Sequence, residues 1–276
     1  MQVLRSTLER HARTHAGPTA ALLAAVLAAG PCLGQSAGPT PAASLPKRVA
    51  SDAKAYVTAP LHAGRAQWVR FGAAMGAIAF AYQLDDDVRE HFDTPLAPAG
   101  VTPDTKDTEH AAPAALMLGG TWLAAAVLDD DDGRREAGSM LEAAAFSVVA
   151  SASLKELTDR DRPYATLDRG AFGESGDSFP STHTAAAFAI GTVFAESGSD
   201  RHRWLRRTLG YGVAAWTAYA RMEEGAHWFS DTVAGAAIGV ATARFVLNRR
   251  NAESGRALRL TPTSQGVEVH YTVALD

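Results

Sequence analysis

The chain has 276 residues, 47% hydrophobic and 20% charged, which gives room for one large domain or two small ones and excludes global disorder. A formal net charge of −4 leaves no excess of Lys and Arg for a nucleic-acid surface, and the single Cys32 excludes an intrachain disulfide or a thiolate metal cluster. A mean hydropathy of −0.08 is too polar for a chain made mostly of lipid-spanning helices, though compatible with one or two.

In chain order, Arg5, Arg10 and Arg13 precede an apolar stretch from Thr19 to Ala29, then the helix breakers Gly30 and Pro31 and the short segment Cys32-Leu33-Gly34. Charged, apolar, cleavable is the order of an export signal. It predicts a signal peptide over residues 1–34 and a mature chain without cysteine, suited to a bacterial periplasm. Residues 35–48, rich in Pro, Ser, Ala and Gly, read as a linker.

Helical spacing begins over Ala63–Leu84, where Trp68, Phe71, Met75, Ile78 and Leu84 recur at three- to seven-residue steps. Residues 93–106 read as a loop. A second apolar run, Ala111–Leu128, stops at Asp129–Asp132. Its Pro113, Gly119, Gly120 and high Ala content predict a buried bundle helix rather than a membrane span, so a soluble protein is expected. Further helices are predicted over 134–157, 181–196, 203–222 and 230–247, with a long Gly- and Pro-rich loop at 163–180. Val267, Val269, Tyr271, Val273 and Leu275 alternate with polar residues, and Leu258 and Leu260 alternate similarly, which predicts a β-hairpin within 251–276. The expected fold is all-α: about six core helices in a bundle over 49–250, with the small hairpin after it.

Three clusters carry chemistry. In the first, Lys155 and Arg162 lie seven apart, and Pro163 ends the helix near them. Two cations of different shape suit an anion with several oxygens, whereas a solvated helix end paired with Asp159 and Asp161 is the plainer alternative. In the second, Ser178-Phe179-Pro180-Ser181-Thr182-His183 opens a helix, with Pro180 in its first turn and Ser178 or Phe179 at the cap. The N–H groups of such a terminus bind oxyanions, and His183 can reach an oxygen of the same anion. In the third, Arg221 precedes His227 and Asp231, which stand at i and i+4 so that the carboxylate can orient the imidazole. Gly235 and Gly239 follow at four-residue steps, where a second helix can approach closely. The acidic runs Asp85–Asp87 and Asp129–Asp132 lack the spacing of a calcium loop and read as solvated helix ends.

Taken in order, Lys-x6-Arg-Pro, Pro-Ser-x-His and Arg-x5-His-x3-Asp resemble the three-part signature of the type 2 phosphatidic acid phosphatase and vanadium haloperoxidase superfamily. The motifs cover residues 155–231, and the helix pattern extends the likeness to about 65–248. The resemblance implies an exported, metal-independent phosphatase that needs no cofactor. Its substrates would be phosphate esters or diphosphates, with lipid phosphates among the candidates. It implies that Lys155, Arg162 and Arg221 bind phosphoryl oxygens, aided by Ser181 and the backbone of Thr182. It also implies that His227 attacks phosphorus, Asp231 orients it and His183 protonates the leaving oxygen. Two positions depart from the pattern. Thr182 stands where the family usually has Gly, which would strain a backbone of positive φ, and Ala220 stands where a Ser often precedes the third-motif Arg. A vanadate-dependent haloperoxidase and a non-catalytic exported helical protein are the alternatives. The expected partner is the phosphate-ester substrate, not nucleic acid; association with a membrane surface stays open, below a soluble periplasmic protein.

Overall fold

The computed structural model describes residues 45–98, 101–104, 106–198, 202–253, 257–263 and 266–272. The predicted signal peptide and residues 35–44 of the predicted linker lie outside them. Among the described residues the fold is helical, with eight α-helices: α1 Leu45–Thr58, α2 Arg65–Gln83, α3 Asp85–His91, α4 Asp107–Val127, α5 Asp131–Thr158, α6 Thr182–Glu196, α7 Arg203–Glu223 and α8 Phe229–Glu253. A 3-10 turn, Ala59–His62, joins α1 to α2. The backbones of Ala257–Thr263 and Gly266–Thr272 pair antiparallel, with Ala257 opposite Thr272.

Local chemistry sets the helix ends. The Asp130 side chain caps α5 by accepting from the Asp132 N–H at 3.0 Å, and Asp131 and Asp132 in the first turn complement the helix dipole. At the other end Asp159 adopts a left-handed conformation, φ 43°, which Asp tolerates and which stops the helix. α1 begins at Leu45, inside the stretch read as linker, and is held to α8 by Asp52, whose carboxylate meets Arg249 and Arg250. Tyr56 reinforces it with a 2.7 Å hydrogen bond to Thr242.

α6 runs through the middle of the bundle with α4, α5, α7 and α8 around it. The core cluster is Ala-rich: Ala143, Ala187, Ala189, Ala214 and Ala243 surround Met140, Ile190, Val193 and Val246. Small side chains let backbones come close and dispersion accumulate. Gly235 and Gly239 serve this packing, since a Cβ at either would run into the α6 backbone at Ser181 or Ala185.

The expectation of a buried helix over 111–128 fails. α4 is apolar around most of its circumference, yet only 17% of its most apolar stretch is buried. Leu116, Trp122, Leu123, Val127 and Leu128 are exposed on it, as are Trp68, Val69, Phe71, Met75 and Phe80 on α2. α4, α5 and α8 are each long and apolar enough to cross a membrane. At 1.5 Å per residue the 21 residues of α4 extend about 30 Å, the thickness of a hydrocarbon core. The Ala content suggested a weak gain from lipid, but the large apolar residues are concentrated on the outer face.

Candidate active site

Five helix ends meet at one end of the bundle: the starts of α4, α6 and α8 and the finishes of α5 and α7. Lys155 lies in the last turn of α5. The left-handed turn at Asp159 then sends Arg160 and Arg162 inward from the following loop. The chain returns through Asp177 and Ser178, with Gly176 lying directly on the Arg160 backbone, where a side chain would not fit. Ser181, not Ser178 or Phe179, caps α6, and Pro180 precedes the helix instead of starting it. The Ser181 hydroxyl accepts from Thr184 Oγ1 at 3.0 Å and from the Thr184 N–H at 3.5 Å, which leaves its own proton to donate. The Ser181 N–H donates to the Asp231 carbonyl at 3.0 Å, so α6 and α8 are tied at their starts. Thr182 is the first residue of α6 and is not among the positive-φ residues. The strain expected from replacing Gly is therefore absent at this position, because helical φ suits any L-residue. The N–H groups of Thr182 and His183 lie in the first turn, where no carbonyl four residues back can take them.

The three cations predicted to bind phosphoryl oxygens each meet an oxygen of the protein. The Lys155 ammonium donates to the carbonyls of Asp177 and, at 3.4 Å, Ser178. Arg162 grips the Asp177 carboxylate with Nε and Nη2, both at 2.7 Å. Arg221, buried at the end of α7, lies 2.7 Å from Asp107 and 3.2 Å from Glu224 through Nη1. Asp159 and Asp161, the partners considered for the first cluster, are not these cations' partners. His227 Nδ1 lies 3.7 Å from Asp231 Oδ2, too far for a hydrogen bond, and among the described residues it has no other hydrogen-bond partner. The i, i+4 spacing brings the pair together but does not close the bond, because Asp231 Oδ2 is already taken by the Ser178 hydroxyl at 2.5 Å and the Trp228 N–H at 2.9 Å. The cavity against His227 holds about 10 Å³, roughly one water. A larger groove of about 610 Å³ lies along α4 and α7 and includes none of the predicted site residues.

The electrostatics follow from burial among cations. Burial, then Lys155, Arg162, Arg221 and His183, hold His227 well below the usual histidine range, so its imidazole is neutral. Burial and then Arg221, with Arg162 and Lys155, lower His183 to about 4. Burial works against the Asp177 carboxylate, but the Arg162 fork, with Lys155 and His227, prevails and keeps it ionised far below the carboxylate range. Burial pushes Glu224 up to about 7 against the pull of Arg221.

Lys155, Arg162, His183, Arg221, His227 and Asp231 thus converge, with Ser181 and Thr182 at the adjoining helix start. Several neighbours escaped sequence reasoning. Asp85, read as part of a solvated helix end, is 1% exposed and bonded to Arg160 and Ser230. Arg160 stands two residues before the motif Arg162 and has no spacing of its own to mark it. Asp107, Glu224 and Asp177 carry the negative charge around the cradle, and only folding brings them to it. Trp228, read as core packing, is buried and also donates its indole N–H to the Asp161 carbonyl at 2.8 Å.

Part of the chain is similar to known proteins. A family model described as the PAP2 superfamily matches residues 136–254. A lipid A 1-phosphatase from Porphyromonas gingivalis is 41% identical over 68 residues, 25% of this chain; the chain spans about 15% of that relative's length. Two solved structures are similar. One is LpxE of Aquifex aeolicus, 23% identical, with 53% of this chain and 88% of that one covered and a TM-score of 0.37. The other is a transmembrane PAP2-type phosphatidylglycerolphosphate phosphatase from Bacillus subtilis, 16% identical, with 74% and 96% covered and a TM-score of 0.39.

Proposed function

We propose that this chain, whose residues 136–254 match the PAP2 superfamily model, is a membrane-embedded phosphatase that removes phosphate from lipid phosphate esters through a histidine intermediate. The observation that carries this reading is the convergence of Lys155, Arg162, Arg221, His183 and a neutral His227 on one buried point above Asp231. Phosphoryl transfer needs charge neutralisation and in-line positioning above all, and three cations with a helix start supply both.

The phosphate takes the place that the Asp177 carboxylate holds on the Arg162 fork. Arg221 and Lys155 engage further oxygens, and Ser181 and the first N–H groups of α6 complete the cradle. With Nδ1 turned toward Asp231, His227 presents Nε2 to phosphorus. The N–P bond forms as the bond to the leaving oxygen breaks, and His183 gives that oxygen its proton. His183 is neutral beside three bare cations, but a bound phosphate dianion reverses the local charge and raises its proton affinity. Water then attacks the phosphohistidine, passes a proton back to His183 and releases phosphate. Every oxyanion partner assigned here is a cation, a hydroxyl or an N–H group, so the chemistry asks for no metal ion.

A lipid substrate is supported by the apolar outer surface and by the relative named for lipid A. α4, α5 and α8 all bring the same bundle end to the site, which suits a phosphate headgroup at the membrane interface with its chains alongside the helices. We take α2 and α4–α8 as the six-helix core and the paired segments Ala257–Thr263 and Gly266–Thr272 as an accessory hairpin, which starts after α8 and not at the expected residue 251. The order of residues 1–34 supports export and a periplasmic site.

The test is phosphate release by the purified full chain in detergent with EDTA present. Phosphatidic acid and a phosphorylated lipid A are compared with para-nitrophenyl phosphate, and an acid-labile phosphoenzyme is sought by rapid quench. Release from the lipids with a trapped phosphohistidine is expected. Failure to release phosphate from any of the three sinks the reading.

A further inference from the structure

Arg160 takes no part in the steps above, yet it is a fully satisfied buried charge. Its five N–H groups make five hydrogen bonds. Nε and Nη2 donate to the Arg169 carbonyl at 3.2 and 2.8 Å, Nη1 to Ser230 Oγ at 2.8 Å and Asp231 Oδ1 at 2.5 Å, and Nη2 to Asp85 Oδ2 at 2.7 Å. The rings of Phe172, Trp228 and Tyr82 surround the guanidinium at 4.9 to 5.5 Å. Asp85 is locked from its other side by the N–H and the hydroxyl of Ser230, both at 2.7 Å. Burial pushes Asp85 up against the pull of Arg160 and Ser230. Both carboxylates face donors, the arrangement of ionised groups.

Two carboxylates and one guanidinium sum to one net negative charge, sealed from water, and one of its oxygens, Asp231 Oδ2, lies 3.7 Å from His227 Nδ1. Arg160 with Asp231 alone would sum to zero. We infer that Arg160 and Asp85 are positioning residues for phosphoryl transfer: Arg160 fixes Asp231 under His227, and Asp85 neutralises Arg160 so that Asp231 keeps its field on the imidazole. The inference rests on His227 being the nucleophile. Positive charge develops on that ring as the N–P bond forms, and a preorganised negative charge favours it there. The other charged groups facing His227 are Lys155, Arg162, Asp177, His183 and Arg221, and they stay constant in the test.

The experiment changes the net charge of the network and reads the titration of His227. The full chain in detergent is followed by 15N NMR of labelled histidines, assigned with His227→Gln, and by kcat/KM against pH on para-nitrophenyl phosphate. Arg160→Gln takes the network from −1 to −2 and is expected to raise the His227 midpoint by about one pH unit, a tenfold change in proton affinity. Adding Asp85→Asn restores −1 and is expected to bring the midpoint back. Arg160→Lys keeps the charge and the midpoint but loses the fork, lowering kcat about 10- to 100-fold with KM changed less than about threefold. An unmoved midpoint in Arg160→Gln, a midpoint equally raised in the double variant, or an unchanged kcat in Arg160→Lys overturns the inference. If Arg160→Gln does not fold, the double variant and Arg160→Lys decide. A wild-type chain that hydrolyses no phosphate ester sinks the phosphatase reading separately, and the NMR titration still judges the network.

Discussion

At the end of the bundle that holds the candidate site several buried side chains are charged, whereas on the outer faces of α2, α4 and α7 many large exposed side chains are apolar. Arg160, Arg221, Asp85 and Asp231 are each no more than 1% exposed, while Leu116, Val127 and Trp204 are more than 70% exposed. A protein surrounded by water has this distribution the other way round. On the membrane-embedded reading proposed above, the two regions obey one rule under different solvents. A charge can be buried where every donor finds an acceptor, as around Arg160. An apolar face can stay open where the surroundings are hydrocarbon.

The comparison can be tested from both sides, and the largest effect belongs to the polar end. His227→Ala removes the proposed nucleophile and is expected to lower kcat on the order of 10³-fold or more while the melting temperature changes little. Steady-state kinetics with thermal unfolding reads both. A phosphoenzyme that persists in this variant would identify another nucleophile.

The apolar face is tested next. Leu116 is 73% exposed near the middle of α4. Leu116→Arg puts a charge in mid-span at a cost of about 2.5–3.5 kcal/mol and should reduce the share of chain retained in carbonate-washed membranes. Full retention, or release of the wild-type chain by the same wash, would argue that this face does not meet lipid.

A third test concerns the seam between the regions. Gly239→Val drives a branched side chain into the α6 backbone at Ala185 and is expected to destabilise the fold by about 1–3 kcal/mol, read as a lower unfolding midpoint. Because α6 starts at the cradle, kcat should fall with it.

The smallest expected effect is electrostatic. Glu224, raised to about 7, is neutral below that pH and an anion above it. As an anion it competes with substrate for Arg221, 3.2 Å away, so KM of the wild type should rise as pH passes through 7. Glu224→Gln should remove that rise, lowering KM above pH 7 about fivefold, equivalent to about 1 kcal/mol. A KM rise that survives the substitution assigns it to another group.

The sequence by itself determined most of the helical bounds. The predicted segments 134–157, 181–196, 203–222 and 230–247 begin and end within a few residues of α5 to α8, apart from the longer C-terminal turn of α8. Helix periodicity and stop signals are local, so they survive without tertiary context. It also singled out Lys155, Arg162, His183, Arg221, His227 and Asp231, which the fold brings together, because their spacing is tied to helix ends. What it could not read was direction. Apolar residues look alike whether they face a core or a bilayer, so the outward face of α4 appeared only when α6 took the interior and left Leu116 and Trp122 outside. The fine geometry also belonged to the fold. Asp85 and Asp231, 146 residues apart, meet on Arg160, and Ser178 reaches Asp231 across 53 residues to hold its carboxylate 3.7 Å from the His227 ring. Such contacts are set by how helices cross, and side-chain charge in sequence carries no record of which distant partner will neutralise it.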